Sequence, residues 1–179
     1  MNNICVYLGA NPGHTIFYQQ ACITLGHALV DKGYTLVYGG SILGTMGCLA
    51  STIKQSGGKV IGVITKHLLD KECPPYNLDT LHVVDSMQER KKLLLTLGDA
   101  FVVMPGGLGT LEEAIETWNA IKLGEINKKI GFLNIENYYK KLFDFMDHVS
   151  AQGFFDVQPS CAPIISHNPH VLLNEIIKN

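Results

Sequence analysis

The sequence predicts an α/β domain in which helices cover both faces of a mainly parallel sheet. Three observations support this fold class. Strand-like and helix-like runs alternate from one end of the chain to the other. The strand-like runs are almost continuously apolar, as strands buried on both faces of a parallel sheet are. No linker or internal repeat divides the 179 residues, so we expect residues 1–179 to form a single, doubly wound, Rossmann-like domain.

The first half of the chain contains four predicted strands and three predicted helices. Short, β-rich runs predict strands at residues 4–9, 35–40, 59–64 and 81–84. Apolar residues at helical spacing predict helices at residues 16–31 and 45–55. Ser86 and Glu89 have the spacing of a capping box, which predicts a third helix to about Leu97. Residues 65–80, which include two prolines, are predicted to be irregular.

The second half continues the alternation. Strands are predicted at residues 100–104, 129–134 and 162–165, and helices at residues 110–122 and 137–151. Asn168 and Pro169 are predicted to be the N-cap and first position of a final helix that ends at Ile177.

Composition and charge exclude several classes of function. A formal net charge of −2 gives no electrostatic reason to expect a nucleic acid partner. No apolar run approaches the roughly 20 residues that span a bilayer, and the first residues lack the pattern of a signal peptide. Five widely spaced cysteines without a CxxC pair favour reduced thiols, and seven histidines without ligand spacing predict no metal site. We therefore expect a cytoplasmic protein without a membrane partner.

Ligands of doubly wound sheets bind beyond the carboxyl ends of the strands, so the loops there are the candidate binding sites. The first, GANPG at residues 9–13, lacks the GxGxxG pattern, and a simple tight turn explains it equally well. The second, YGGSILGTMG at residues 38–47, contains four glycines. That is more than turning the chain requires, which favours close approach of a ligand.

The third loop, MPGGLGTLEEAIETW at residues 104–118, carries the densest signal. Pro105 ends a strand, three glycines follow within four residues, and Thr110 stands at the predicted start of a helix. A helix N-terminus offers free N–H groups and a positive dipole end, which suit phosphate. A structural alternative stays open, because residues 110–113 also have capping-box spacing. Glu113 would then bond back to the backbone of Thr110, and Glu112 would complement the dipole.

A phosphate beside two carboxylates requires a cation. The run MQERKKLL at residues 87–94 supplies Arg90, Lys91 and Lys92 early in a helix, where the dipole disfavours cations. This position hints at partners elsewhere, although a solvated basic face is the alternative. Arg90 is the best candidate, because its planar guanidinium can bond phosphate or carboxylate in a fork.

With these residues in place, the sequence resembles the LOG ("Lonely guy") family, the cytokinin riboside 5′-monophosphate phosphoribohydrolases. The family motif PGGxGTxxE is matched by Pro105, Gly106, Gly107, Gly109, Thr110 and Glu113. An upstream arginine–lysine motif is matched by Met87, Arg90 and Lys91. The similarity covers about residues 4–155. Departures from the family pattern at Ala10, Asn11, Ser41, Leu108 and Asn119 border the nucleoside end, and leave the base preference open.

The resemblance implies hydrolysis of the N-glycosidic bond of a nucleoside 5′-monophosphate, such as AMP or N6-isopentenyl-AMP, to free base and ribose 5-phosphate. It implies no metal or redox cofactor, and a homodimer with the helix after the glycine loop near the interface. Glu113 would stabilise positive charge on the ribose and orient water. Arg90 would keep Glu113 ionised by lowering its pKa.

The proposed substrate-binding residues surround this catalytic pair: Gly9, Gly44, Met46, Glu72, Lys91, Gly106, Gly107, Leu108, Gly109, Thr110, Leu111, Glu112 and Asn119. Two other interpretations remain. Related Rossmann-like proteins carry phosphorylated cofactors without turning them over, although a carrier needs no carboxylate at the ribose. A noncatalytic domain with a structural capping box is the third. Many family members also bear a lysine decarboxylase label, but no lysine here has the context of a pyridoxal Schiff base.

Overall fold

The structure, a computed structural model, describes residues 2–71, 77–156 and 158–178, and within them seven strands form one sheet. The strands are β1 (Asn3–Tyr7), β2 (Thr35–Tyr38), β3 (Val60–Thr65), β4 (Thr80–Val84), β5 (Ala100–Val103), β6 (Ile130–Leu133) and β7 (Ile164–Ser166). The helices are α1 (Ile16–Asp31), α2 (Gly44–Gln55), α3 (Lys66–Leu69), α4 (Met87–Leu97), α5 (Leu108–Lys122), α6 (Lys140–Ala151) and α7 (Pro169–Ile177). Short 3₁₀ turns occupy Ile135–Asn137 and Pro159–Cys161.

The strand order is β4-β3-β2-β1-β5-β6-β7, and each of the six neighbouring pairs runs parallel. The order reverses direction between β1 and β5, where Ile4 lies beside Ala100 and Tyr7 beside Val103. At such a switch point the connections leave the sheet in opposite directions and open a crevice at the carboxyl ends. The fold therefore places a binding crevice between the loop after β1 and the loop after β5.

Alternating residues of the central strands divide the core into two layers. Ile4 and Val6 belong to a layer that includes apolar side chains of α1, α2 and α7. Cys5 and Tyr7 belong to the opposite layer, which includes side chains of α4, α5 and α6. Trp118 of α5 lies in this second layer, and its indole N–H donates to the carbonyl of Cys161 at 3.0 Å. Helices thus cover both faces of a parallel sheet, which confirms the predicted fold class.

The caps agree with the sequence prediction. The Ser86 hydroxyl accepts from the N–H of Glu89 at 3.2 Å, and the Glu89 carboxylate accepts from the N–H of Asp85 at 2.9 Å. Asn168 caps α7 by accepting from the N–H groups of His170 and Val171. Several boundaries differ from the predicted ones: β1 ends at Tyr7 rather than at residue 9, and β2 ends at Tyr38 rather than at residue 40. Helix α5 begins at Leu108 rather than at residue 110, α6 begins at Lys140 rather than at residue 137, and the irregular segment contains α3.

In the described part of the chain, no helix is both long enough and apolar enough to cross a bilayer.

Candidate active site

A cavity of about 450 Å³ opens over the switch point, at the carboxyl ends of the central strands. Loops that follow β1, β2 and β5 contribute to its wall, together with the start of α5 and two residues of α4, Met87 and Arg90. Eight of the predicted site residues line it: Gly9, Met46, Arg90, Gly106, Gly107, Gly109, Thr110 and Glu113. The structure therefore brings the glycine loop, the arginine and the carboxylate into one cavity, as the sequence predicts.

Arg90 is almost buried, with 8% of its side chain exposed, and three acceptors fix its guanidinium. Its Nε donates to the carbonyl of Val63 at 2.9 Å, its Nη2 to the carbonyl of Gly39 at 3.2 Å, and its Nη1 to Glu113 Oε1 at 2.8 Å. A Cβ on Gly39 would lie 2.3 Å from Nη2, so only glycine leaves room for the guanidinium. Because a guanidinium carries five N–H donors, two remain beyond these three bonds for a ligand.

Glu113 lies opposite Arg90, with 11% of its side chain exposed. Burial raises the pKa of its carboxyl above the ordinary value of 4.5, because the ionised form loses contact with water. The Arg90 guanidinium favours the ionised form but offsets only part of this effect. Arg90 thus acts on the pKa of Glu113 in the expected direction, but burial has the larger effect, so the pKa is raised. A carboxyl with a raised pKa in a cleft is better suited to proton transfer near neutral pH.

The N-terminus of α5 faces the cavity. Gly107 is the N-cap, and the N–H of Leu111 makes the first helical bond, to the carbonyl of Gly107 at 3.1 Å. The N–H groups of residues 108–110 therefore precede the first intrahelical bond and have no helical acceptor. The capping-box alternative is wrong, because Thr110 is the third residue of α5 and the Glu113 carboxylate bonds to Arg90.

Two glycines of this loop differ from every other glycine of the chain. At 16 of the 18 glycines, either φ is positive or an added Cβ would lie within 4 Å of another atom. Gly107 and Gly109 have neither constraint, so no contact of the described residues requires glycine there. The positions that a Cβ of Gly107 or Gly109 would occupy are free, so a ligand can approach the backbone of both residues closely.

Six predicted binding residues lie outside the cavity lining: Gly44, Lys91, Leu108, Leu111, Glu112 and Asn119. Lys91 is paired with carboxylates of α5, at 2.9 Å from Glu112 Oε1 and 2.7 Å from Glu116 Oε2. A Cβ on Gly44 would lie 2.4 Å from the carbonyl carbon of Ala10, and φ there is 54°, so packing explains that glycine. Glu72 lies outside the described residues. The binding roles of all these residues stay predictions.

Cavity residues outside the three candidate loops that the sequence interpretation missed include Tyr18, Leu68, Met87 as a wall residue, and Tyr138. Tyr138 comes from the turn after β6, a loop that was not among the candidates. A weak signal was present, since a pair of tyrosines lies only four and five residues beyond the end of the strand predicted at 129–134, although both fall within the helix predicted at 137–151. Within the described ranges, no group of three or more His, Cys, Asp or Glu side chains is arranged to hold a metal ion.

The fold and the cavity define a Rossmann-like α/β protein with an ion-paired carboxylate beside a helix N-terminus. Residues 46–176 match the family model described as "Possible lysine decarboxylase". The probable cytokinin riboside 5′-monophosphate phosphoribohydrolase LOGL1 of Oryza sativa subsp. japonica is 38% identical over 177 residues, which cover 97% of this chain and 78% of the relative. The cytokinin riboside 5′-monophosphate phosphoribohydrolase LOG1 of Arabidopsis thaliana is 37% identical over 175 residues, with coverage of 98% and 80%. The chain belongs to the LOG family, which confirms the resemblance.

Solved structures share the fold at lower identity. A molybdenum cofactor binding protein from Rippkaea orientalis superposes with a TM-score of 0.71 at 21% identity, covering 99% of this chain and 98% of that one. The molybdenum cofactor carrier protein from Chlamydomonas reinhardtii gives 0.70 at 18% identity, covering 98% of each chain. The decarboxylase description does not fit the site, because the described residues that line the cavity include no lysine for a Schiff base.

Proposed function

We propose that this protein hydrolyses the N-glycosidic bond of nucleoside 5′-monophosphates, including N6-modified AMP of the cytokinin type, to give the free base and ribose 5-phosphate. The curated relatives carry the name of this reaction. The observation that carries the proposal is the buried Arg90–Glu113 pair in the same cavity as the open N-terminus of α5. The Arg90–Glu113 pair can act on a ribose, and the N-terminus of α5 can hold a phosphate.

The 5′-phosphate binds at the start of α5. The N–H groups of residues 108–110 are not used by the helix, and the positive end of the helix dipole lies there. The free space before Gly107 and Gly109 admits the phosphate oxygens. In the part of the chain that the structure describes, the Thr110 hydroxyl makes no hydrogen bond, so it is available as a further donor.

The order of the strands gives the nucleotide its direction. The glycine loop follows β5, whereas Leu68 follows β3 and Met46 lies in the helix after β2, on the other side of β1. The Arg90–Glu113 pair lies between these two ends, because Arg90 bonds to the ends of β2 and β3 and Glu113 belongs to α5. The base therefore lies over the apolar wall formed by Met46, Leu68 and Met87, and the ribose lies at the ion pair.

Cleavage of the glycosidic bond develops positive charge on the ribose ring, as in glycoside hydrolysis. The Glu113 carboxylate stabilises that charge and accepts a proton from the attacking water. The water oxygen bonds to C1′ of the ribose, and the bonding electrons leave with the base, which takes up a proton. Arg90 orients the carboxylate and offers its two remaining N–H groups to the ribose hydroxyls. In this scheme the bond cleavage itself uses only the side chains of Glu113 and Arg90 and the attacking water.

The test is incubation of the purified protein with AMP and with N6-isopentenyl-AMP, followed by chromatography of free base and ribose 5-phosphate. Glu113→Gln is expected to lower kcat by at least about 100-fold, the usual scale for such a group. Glu116→Gln is the matched control, because Glu116 lies one turn further along α5 and pairs with Lys91 outside the main cavity. Binding of both nucleotides without release of base would instead indicate a carrier of phosphorylated ligands.

A homodimer that buries the outer face of α5 is part of the same proposal. Leu108, Ile115 and Leu123 present apolar side chains there that are 85%, 39% and 60% exposed. Ile115→Glu is expected to give a monomer in sedimentation equilibrium, whereas Val171→Glu, an exposed site on α7, is expected to stay dimeric. A monomeric wild type, or a dimeric Ile115→Glu variant, would contradict this arrangement. A cytoplasmic location and the lack of a nucleic acid partner stay predictions from the sequence.

A further inference from the structure

Two adjacent tyrosines from the turn after β6 bond to the segment that ends β5. The Tyr138 hydroxyl donates to the carbonyl of Gly106, and the Tyr139 hydroxyl donates to the carbonyl of Met104, each at 2.6 Å. Pro105 lies between the two acceptors and has no N–H to anchor the segment. Of these two bonds, only the one from Tyr138 reaches the loop where we place the phosphate, because Gly106 lines the cavity and Met104 does not.

The peptide unit between Gly106 and Gly107 is the part of this loop that most needs an anchor. With no Cβ on either side, it can rotate between orientations that other residues disfavour. In a trans peptide the carbonyl and the N–H point in opposite directions, so the bond to the Gly106 carbonyl also fixes the N–H of Gly107. A flipped peptide would present a carbonyl oxygen where a phosphate requires a donor.

A side chain on the loop cannot supply this rigidity. A Cβ on Gly106 would lie 2.2 Å from Thr110 Oγ1, and one on Gly107 would enter the free space at the start of α5. The loop keeps its glycines for close approach, so its order has to come from a contact with another element. Tyr138 makes that contact, because its hydroxyl reaches Gly106 from the turn after β6.

The turn holds the Tyr138 ring in place. The ring packs edge-on against Tyr18, at 5.8 Å between centroids, and against Tyr139, at 4.9 Å. Glu136 and Asn137, which precede it, have φ of 51° and 56°, a left-handed conformation that is unusual for residues other than glycine. Backbone strain of this kind persists only where the surroundings enforce it, and it is common at ligand sites. Here it directs Tyr138 to the wall of the cavity.

We propose that Tyr138 is a positioning residue of the phosphate site, whose hydroxyl holds the Gly106–Gly107 peptide in the orientation that presents the Gly107 N–H to the anion. The proposal rests on the phosphate-binding role that the proposed function gives to this loop. It assigns to Tyr138 an effect on ground-state binding rather than on bond cleavage.

The experiment compares Tyr138→Phe with Tyr139→Phe, which remove equivalent hydroxyls from neighbouring residues. For Tyr138→Phe we expect the KM of AMP to rise about tenfold with kcat within about twofold, the effect of losing one positioning hydrogen bond. The dissociation constants of inorganic phosphate and ribose 5-phosphate, measured by calorimetry, rise by a similar factor, and that of adenine does not change. Tyr139→Phe lowers the melting temperature, because Tyr139 is buried, but leaves the KM unchanged.

The outcomes separate this proposal from the proposed function. Wild type that hydrolyses AMP, with Tyr138→Phe matching it in KM and phosphate affinity, would overturn the role of Tyr138 alone. An equal loss of phosphate affinity in Tyr139→Phe would also overturn it, because the turn would then act only as packing. Wild type that binds phosphate but releases no base would overturn the hydrolase and leave the calorimetric comparison to decide on Tyr138. Wild type that binds neither phosphate nor ribose 5-phosphate would overturn both.

Discussion

The β2–α2 loop, taken as residues 38–47, and the β5–α5 loop, taken as residues 104–110, each include the first residues of the helix that follows. Both are glycine-rich strand-to-helix turns at the same edge of the sheet, but they differ in what occupies the space beside their glycines. In the β2–α2 loop that space is occupied by the protein. A Cβ on Gly47 would lie 1.8 Å from the carbonyl oxygen of Ile42, and one on Gly39 would meet Arg90. In the β5–α5 loop the space before Gly107 and Gly109 is free.

The threonines of the two loops differ in the same way. The Thr45 hydroxyl, near the start of α2, donates to the carbonyl of Gly9 at 3.0 Å and accepts from its N–H at 3.1 Å. The Thr110 hydroxyl, near the start of α5, makes no hydrogen bond among the described residues. A surplus of glycine before a helix therefore has two physical causes, which are close packing of the protein and close approach of a ligand. Each cause predicts a different phenotype for the same substitution.

Arg90 joins the two loops, so its removal is expected to have the largest effect. It bonds to Gly39 in one loop and to Glu113 in the helix that follows the other. Arg90→Met leaves Glu113 buried without its cation, which costs about 3–5 kcal/mol of folding free energy, and lowers kcat/KM at least about 100-fold. The double variant Arg90→Met/Glu113→Gln is expected to recover part of the stability in urea unfolding but none of the activity. Activity in the double variant would contradict the catalytic role of Glu113 as well as that of Arg90.

Protonation of Glu113 removes the negative charge from the Arg90–Glu113 ion pair, just as Arg90→Met removes the positive charge. As pH falls through its pKa, the carboxyl becomes neutral and kcat/KM falls about tenfold per pH unit. Burial raises this pKa, so the fall begins above the ordinary value of 4.5. Stability changes in the opposite sense. Because the native pKa exceeds the unfolded one, the contribution of Glu113 to stability is full below 4.5 and is lost as pH rises through the native pKa.

The control for this pH dependence is Glu113→Gln. Its residual kcat/KM should not show the fall at low pH that protonation of Glu113 causes in the wild type. The variant also shows any contribution from ionisation of the substrate phosphate, which is the same in both proteins. An acid limb of unchanged shape in Glu113→Gln would remove Glu113 from the role of the ionised group.

The parts of the site that depend on chain order were predictable from the sequence, and the parts that depend on packing were not. Alternating apolar runs predicted the sheet, and hence that residues 9–13 and 104–110 would meet at one edge. Charge indicated Arg90 as the cation for two carboxylates beside a proposed phosphate site, and the family resemblance implied its pairing with Glu113. The contacts of Arg90 with Val63 and Gly39 could not be predicted, since they depend on the rotamer of one side chain among three strands.

Two further features show the same limit. The sequence interpretation gave the glycines of residues 38–47 a ligand role, which stays a prediction, and the pattern does not reveal that backbone atoms of Ala10 and Ile42 lie close to where a Cβ of Gly44 or Gly47 would be. The sequence interpretation also expected Arg90 to keep Glu113 ionised by lowering its pKa. Arg90 does favour the ionised form, but burial, which the sequence does not reveal, has the larger effect and raises the pKa. Sequence spacing identifies which groups can interact, and only the packing determines whether desolvation or attraction is larger.

Glycine to alanine in each loop separates the two reasons for glycine, which are close packing of the protein and close approach of a ligand. Gly47→Ala forces the backbone of α2 away from Ile42 and is expected to cost about 1–3 kcal/mol, the range for overpacking, with binding unchanged in the protein that remains folded. Gly107→Ala adds a methyl group in free space at φ of −87°, so stability stays within about 0.5 kcal/mol. Its affinity for inorganic phosphate is expected to fall about tenfold, as after loss of one bond to an anion. Thermal melting should therefore show a loss of stability only in Gly47→Ala, and calorimetry a loss of phosphate affinity only in Gly107→Ala. A destabilised Gly107→Ala would contradict the distinction.

The threonine pair gives the smallest and sharpest test, because threonine to valine keeps the shape of the side chain and removes only the hydroxyl. Thr45→Val leaves the N–H of Gly9 without a buried acceptor, while the carbonyl of Gly9 keeps only the N–H of Met46. We expect this to cost about 1–3 kcal/mol of unfolding free energy. Thr110→Val removes a hydroxyl that no described residue uses. We expect unchanged stability and a KM for AMP that is about threefold to fivefold higher, a loss below the full value of a neutral hydrogen bond. Equal KM values for Thr110→Val and wild type would place the phosphate on backbone N–H groups alone, and would leave Gly107 and its anchored peptide as the main contacts of the loop.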